Sequence, residues 1–591
     1  MPVRALFLAL LLAAGCTPAV SPSPSADESG LAGGTLRVGL WIPEEPDELE
    51  RALLDPQVFF WHPLARCCLL RTLLTYEGRP IEDGGAQLRP DLAEAMPEVS
   101  SDGLTWTFRL RKGLRYAPPF DAREIVARDF ITALERTVRI GESPYHDVIE
   151  GVREFRDGAA GTIAGAQTPD DWTIEFRLTE PAGDFGNRVA MAYLAPLPDE
   201  ALAIHGDDYG GYLVASGPYM IEGAETLDHA DPDAPPTYQA DDLVLVRNPS
   251  WTRDADAIRP AYADRIVVVP LEDRGQAAVA AVAGGEIDIL LDPITPEARD
   301  EVAADRELRP RLREAPNPLL FFIALNLAQP PFDDVAVRRA VNATIDREAL
   351  LTTFDPARGS DFVATSHALP EVAVGGLLRD YEPAGATTVR GDPDRARDLM
   401  ADSTYDIDGD GRCDGASCMV LGNRSGDTSD TALEIVEGDL AELGIEVEWV
   451  DEPQMFDPAG HIGLGAILGW VADYPSGNDF VILMTNPGLE GFNPSLIGAT
   501  PEELTEWGYD TDSVPSVDDK VALCRSMGGS AAFACWAELD QLITEQVVAW
   551  VPVARSVAAY VIGESIDRFQ FSGSEQMPAL DQISLIADRS P

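Results

Sequence analysis

Residues 433–449, LEIVEGDLAELGIEVEW, carry two periods in seventeen positions. Leu433, Val436, Leu440 and Leu443 recur at the spacing of one helix face. The stripe stops at Gly444, and Ile445, Val447 and Trp449 then alternate as a strand does. Helix, glycine, strand is the wiring of α/β proteins. The same two periods recur along the chain. Leu104, Trp106, Phe108 and Leu110 alternate after the Asp102-Gly103 turn, and Trp172, Ile174, Phe176 and Leu178 alternate after residues 169–171. Val337, Val341 and Ile345 line another helix face, whose start Asp333 or Asp334 can cap. Helices and strands interleave throughout, no internal repeat of fixed period is visible, and the fold class expected is mixed α/β.

The chain has 591 residues, too many for one core, so two or three domains are expected. It carries 100 acidic against 44 basic residues, a formal net charge of −56. A surface of that sign repels phosphate backbones and excludes nucleic-acid binding as a function class. The basic residues are almost all arginine; Lys112 and Lys520 are the two lysines. Residues 228–242 are acidic and rich in proline and read as a surface loop.

The first residues read as an address. Arg4 precedes an apolar run from Ala5 to Ala14, and small residues lead into Cys16. An ordinary secretory cleavage site needs no thiol. The arrangement resembles the bacterial lipobox, with Leu12 four rather than three residues before the cysteine, and implies acylation at Cys16, palmitate included. Residues 1–16 are thus expected to be a lipoprotein signal peptide and lipidation site. Residues 17–32, TPAVSPSPSADESGLA, read as a flexible tether. No later stretch reaches the length of a membrane-spanning helix; Val547–Ile562 is interrupted by Pro552 and Arg555. An exported body held to the outer face of the membrane, or in the periplasm, is expected. Six cysteines remain after Cys16 and allow 15 pairings. Cys413 with Cys418 and Cys524 with Cys535 are close enough in sequence for small disulfide loops; Cys67 and Cys68 are adjacent and harder to place.

Several longer blocks carry a resemblance. LRPDLAEAMPEVSSDGLTWTFRLRKGLRY (88–116), SGPYMIE (216–222), RNPSW (247–251), GGEIDI (284–289), NLAQPPFDDVAVRRAVNATIDREAL (326–350) and GWVADYPSGNDF (469–480) stand in one order. Together they resemble the family-5 extracellular solute-binding proteins, the peptide- and nickel-binding class that feeds ABC importers. The resemblance runs from about residue 33 to about residue 561. It implies a two-lobed periplasmic-binding-protein-like fold of type II, in the large cluster with an extra subdomain, and a hinge between lobes. Lobe I would comprise 33–80, 217–315 and 540–591, with an inserted subdomain at 81–216; lobe II would span 316–539. A ligand would be enclosed between the lobes, and closure would follow from its preference for the closed state.

By the same resemblance, Asp473 pairs with the α-ammonium of a bound peptide, while Trp470 and Tyr474 wall the pocket. A carboxylate suits that role, because an enclosed ammonium needs a counter-charge, and aromatic rings offer flat, rigid surface. The chain departs from the family pattern at Ser476-Gly477, which leaves the ligand's length and side chains open. Most of a bound peptide would be held through its backbone against strand edges. The partners implied are a peptide or other small solute, an ABC permease in the membrane and the lipid anchor; a monomer is expected. Alternatives are a nickel chelate or a sugar as cargo, with His461 the imidazole nearest Asp473 in sequence, or an exported ligand sensor coupled to a membrane receptor.

Asp406, Asp408, Asp410 and Asp414 stand at alternating positions around Gly411. Such a loop can curl around a hard cation, and all-oxygen donors favour calcium. Ser417 replaces the bidentate glutamate of an EF-hand at the twelfth position. No cofactor is required by this reading, and calcium would be structural. No GxSxG, Walker loop or HExxH occurs, and an enzyme is not expected.

Overall fold

The computed structural model describes residues 32–41, 54–58, 62–140, 144–231, 234–237, 243–354, 360–378, 389–424, 428–451, 457–482, 484–485 and 493–586. The export segment, Cys16 and the tether up to residue 31 lie outside the described residues.

The 433–449 stretch folds as its periods dictate. Ser429 caps helix Asp430–Ala441 by accepting the Ala432 N–H, and strand Glu446–Val450 follows. Leu433, Val436, Leu440 and Leu443 are all buried. Gly444 makes the turn at φ +74°, where a Cβ would lie 2.8 Å from the Cys413 carbonyl oxygen, so only glycine fits. The 326–350 block behaves alike. Asp334, rather than Asp333, caps helix Val335–Thr344, and Asn326 ties two loops through its amide to the Ile462 carbonyl and the Tyr509 hydroxyl.

Three principal sheets organise the chain. In the first, Thr35–Trp41 lies parallel to both Arg265–Leu271 and Ile289–Leu290, and Val244–Arg247 and Tyr219–Ile221 add antiparallel strands. In the second, Glu98–Val99, Thr105–Arg109, Thr173–Arg177 and Ala166–Asp170 form an antiparallel sheet. Trp106 faces Phe176 and Phe108 faces Ile174, so the alternating residues meet on one buried face. The third sheet has six strands. Its centre is β1 (Leu312–Leu325), flanked by β2 (Leu464–Val471) and β3 (Trp550–Val561). Apolar residues cover both its faces: Leu320, Phe322 and Trp550 pack on one, Phe321, Ile323 and Val551 on the other.

The expected assignment of 540–591 to lobe I is corrected in part. Strand β3 runs antiparallel to β1 from Leu312↔Val561 to Ala324↔Trp550 and so belongs to the lobe II sheet. A near-continuous apolar run fits the core of either lobe, and strand pairing decides between them. From Ile562 onward the chain returns to lobe I, where Leu580 and Ile583 pack with Leu36 and Val38. The far ends of β1 and β3 also reach lobe I. Ala559 and Val561 pack against Val282, Ile287 and Val302, and the Ile294 N–H donates to the Ala559 carbonyl at 2.8 Å. Two paired strands therefore bridge the lobes.

Lobe I and the inserted subdomain share a buried ionic cluster. Arg71 and Arg259 both engage Asp91, at 2.6 and 3.0 Å, and Arg259 also engages Asp256 at 3.1 Å. All four side chains are at most 5% exposed. Burial opposes ionisation of Asp256, but Arg259 and Arg71 beside it hold its carboxyl well below the usual range. Arg259→Ala leaves two buried carboxylates to share Arg71 alone. It is expected to destabilise the fold by about 3–5 kcal/mol, read by chemical denaturation; a loss under about 1 kcal/mol would mean that the cluster is hydrated.

Candidate functional site

Strand β2 leaves the core at its end. Gly469 is exposed, Trp470 half-buried and Val471 exposed, and the chain then enters the loop 472–476. Ser476 accepts the Asn478 N–H and starts the short helix Gly477–Val481. The helix brings Asp479 back beneath the loop, where its Oδ2 accepts the Asp473 N–H at 2.6 Å. The half-buried carboxylate of Asp473 then faces outward and accepts a hydrogen bond from the Tyr145 hydroxyl, which belongs to the inserted subdomain.

The charges of the two aspartates are linked. Burial raises the Asp473 pKa, against the Tyr145 hydrogen bond and the Arg66 guanidinium, which lower it. Burial, and next the charge of Asp473, holds the fully buried Asp479 well above the usual carboxylate range. Asp479 Oδ1 has no hydrogen-bond partner among the described residues. Burial therefore favours protonation within the pair, most strongly at Asp479, where the charge of Asp473 adds to it. Around it stand Tyr193, with its ring centroid 6.5 Å from that of Tyr145, and Arg66, whose guanidinium lies 3.8 Å from Glu575. Buried Tyr76 lies within the field of Arg66, Glu575 and Asp479, and its hydroxyl has no partner among the described residues.

The loop also fastens the two lobes. Tyr474 is 2% exposed, and its hydroxyl donates to Asp184 Oδ2 at 2.8 Å. Asn478 Nδ2 donates to the same oxygen at 2.7 Å, and Arg188 pairs with Asp184 at 3.2 Å. Asn187 Nδ2 donates to the Pro475 carbonyl at 3.1 Å, and the Gly183 N–H to the Arg525 carbonyl at 2.6 Å. A Cβ on Gly183 would sit 1.9 Å from the Met527 carbonyl oxygen, so the approach demands glycine. Burial raises the Asp184 pKa, but Arg188 and the two donors outweigh it and hold the carboxyl below its ordinary value.

Among the described residues, cavities open between the lobes. One, of about 720 Å³, runs between the inserted subdomain (Leu88, Trp106, Asn187) and lobe II (Arg525, Phe533). Another, of about 140 Å³, lies where β1 and β3 cross and shares Ile81 and Glu82 with the first.

Of the residues singled out in the sequence, Asp473 lies at the junction of the lobes. Trp470 packs on the Leu320 face of the third sheet, and Tyr474 is spent on the contact with Asp184. Tyr145, Tyr193, Arg66, Asp479 and Glu575 were not singled out; tyrosines and charges without a local pattern gave no signal. His461 contacts Tyr509 and the Trp507 carbonyl, outside the group around Asp473. In the acidic loop, donor oxygens of Asp406, Asp408 and Asp414 lie within 4.8 Å of one another and can hold a hard cation. Asp410 is not part of that trio; its N–H donates to Asp406 and Asp408. Cys413 pairs with Cys418 beside this loop, Cys524 with Cys535, and Cys67 with Cys68.

Comparison with known proteins adds the following. Residues 87–491 match the model of bacterial extracellular solute-binding proteins, family 5. The glutathione-binding protein GsiB of Salmonella paratyphi A is 27% identical over 375 residues, 63% of this chain and 62% of that protein. The chain therefore matches less than two-thirds of that relative's length. Heme-binding protein A of Haemophilus influenzae is 22% identical over 80% of each chain. The solved structure of clavulanic acid biosynthesis oligopeptide binding protein 2 superimposes with a TM-score of 0.70 at 25% identity, over 94% of this chain and 98% of that one.

Because the raised pKa values of Asp473 and Asp479 mark protonation favoured by the fold, their contribution to stability is full below the ordinary carboxylate pKa and is lost as pH rises through the raised values. Asp479→Asn is therefore expected to raise Tm at pH 7–8, with the gain vanishing toward pH 4 in thermal scans. A variant less stable at every pH would mean that Asp479 is ionised and paired.

Proposed function

The chain belongs to the bacterial extracellular solute-binding proteins of family 5, and from that premise we propose that it captures short peptides between its two lobes and delivers them to an ABC permease. The observation that carries this reading is Asp473. It places a carboxylate where lobe II meets the inserted subdomain, with Tyr145 and Tyr193 beside it. A ligand ammonium brought there gains a counter-charge at low dielectric and takes over the place of the Tyr145 hydroxyl. The exposed end of β2, at Gly469 and Val471, offers backbone groups to an extended ligand.

Support also comes from the relatives, whose names include glutathione and oligopeptide binding. The reading assigns no catalytic step and no cofactor to capture. Calcium, if held by Asp406, Asp408 and Asp414, would brace the loop beside Cys413 and act on stability alone. Among the described residues no helix is long and apolar enough to cross a membrane. We propose attachment to the membrane through an acylated Cys16, with the body working as a monomer on the outer face or in the periplasm.

Native mass spectrometry of the purified protein, followed by denaturation, tests the reading. Release of short peptides is expected, and Asp473→Ala should weaken their retention at least tenfold. A metal chelate or a sugar that the variant still holds would overturn both the peptide assignment and the role of Asp473.

A further inference from the structure

Two histidines meet away from the cleft. His205 ends the helix Asp199–His205 of the inserted subdomain. His229 lies 24 residues on, in lobe I, just after the turn Ala224–Thr226. Their facing ring nitrogens, His205 Nε2 and His229 Nδ1, stand 3.2 Å apart. Neither residue lines the cavities between the lobes.

Both rings are held in place by aromatic neighbours. Buried His205 stacks on Tyr212, with centroids 3.6 Å apart and planes within 8°. Half-buried His229 stands edge-on to Phe120 at 4.9 Å. The Tyr212 hydroxyl donates to the Ala234 carbonyl at 2.7 Å, and the Thr237 N–H to the Gly211 carbonyl at 3.0 Å. The lobe I segment is therefore fastened beside Tyr212 as well as at His229. Rings fixed in this way lose little freedom when they take up a ligand.

The spacing is that of two donors on one metal ion. Two imidazole nitrogens bound to a tetrahedral zinc at about 2.0–2.1 Å stand roughly 3.3 Å apart. Without metal, one ring donates its N–H to the other. Metal entry requires that proton to move to the outer nitrogen of its own ring. Both rings then stay neutral, and each turns a lone pair toward the ion. Asp208 lies within the field of His205, and Asp228 within that of His229. Both carboxylates are exposed. They lower the energy of a dication placed between the rings, and they offer acceptors for the outer N–H groups, the usual second partners of metal-bound imidazole. Imidazole donors select first-row transition ions over calcium and magnesium.

We propose that His205 and His229 form a site for a divalent transition-metal ion, which clips the inserted subdomain to lobe I. Water completes the coordination. The ion is a brace and not cargo: it sits outside the cleft and is held by two side chains of the protein itself. The proposal is independent of the peptide reading and of the Asp406 loop, whose donors are all oxygen.

The test uses the protein purified without a polyhistidine tag and stripped with EDTA. Zinc is titrated in at neutral pH, against an excess of magnesium to occupy the acidic surface, and read by native mass spectrometry and thermal scans. The wild type should retain a zinc ion and gain in Tm. His205→Gln and His229→Gln should each weaken zinc binding at least tenfold and remove the gain. Asp406→Asn should behave as the wild type. Glutamine keeps a hydrogen-bonding amide, so metal-free Tm should change little in either histidine variant, which reports that each folds. Copper(II) replaces zinc in a spectroscopic arm: electron paramagnetic resonance should show two coupled imidazole nitrogens in the wild type and fewer in each variant. Zinc retention equal to wild type in both histidine variants overturns the proposal, because the ion then sits on carboxylates. Copper without two coupled nitrogens in the wild type overturns it too, and that spectrum decides the matter if the variants fail to fold.

Discussion

The antiparallel pairing of β1 with β3 is the constraint on which the rest depends. One half of this ribbon forms the centre of the six-stranded sheet, with cores on both faces. The other half ends in lobe I, where Ala559 and Val561 pack with Val282 and Val302. The register is irregular between Pro316 and Leu320, where the pairing passes from one lobe toward the other. A two-strand ribbon resists sliding, because each residue of slip would reverse every side chain. It bends more readily than it shears, and a local irregularity is where a bend concentrates. The lobes can therefore swing about the ribbon and meet again in the same register.

What they meet with is polar. Asp184 gathers Arg188 from its own lobe and Tyr474 and Asn478 from the other. Buried and fully partnered, such a network favours one mutual orientation; half-formed, it leaves a charge without its donors. Asp473 differs in kind. It stands beside Asp479, whose protonation burial favours, and its partner across the cleft is the Tyr145 hydroxyl. One end of the loop thus joins the lobes through a buried charged network, the other through the Tyr145 hydroxyl.

Much of this architecture was legible in the sequence where a period was local. The helix-to-strand turn at Gly444, the cap at Asp334 and the facing rows of Trp106 and Phe108 all follow from side chains a few positions apart. The lobe of β3 was not legible, since twelve residues of apolar strand carry no sign of which sheet they join. The site was half legible. Asp473 stands in a recognisable block, but Tyr145 lies 328 residues before it, and Arg66 and Glu575 come from near opposite ends of the chain. Asp479 was hidden differently: a carboxyl six residues on reads as one more acid in an acidic chain, and its burial and raised pKa come from tertiary packing. In the Asp406 loop, spacing suggested four ligands, while the backbone hydrogen bonds to Asp406 and Asp414 draw three together.

The charge of the whole molecule bears on the same point. Of its 44 basic residues, Arg71, Arg136, Arg188, Arg259, Arg338 and Arg347 are buried. They neutralise carboxylates inside the fold or, like Arg338 and Arg347, bond to backbone carbonyls. Arg338 and Arg347, held by backbone carbonyls, draw cations inward without a buried carboxylate of their own and leave the surface more negative than the composition implies. A field of that sign attracts cationic solutes and repels free anions over a Debye length.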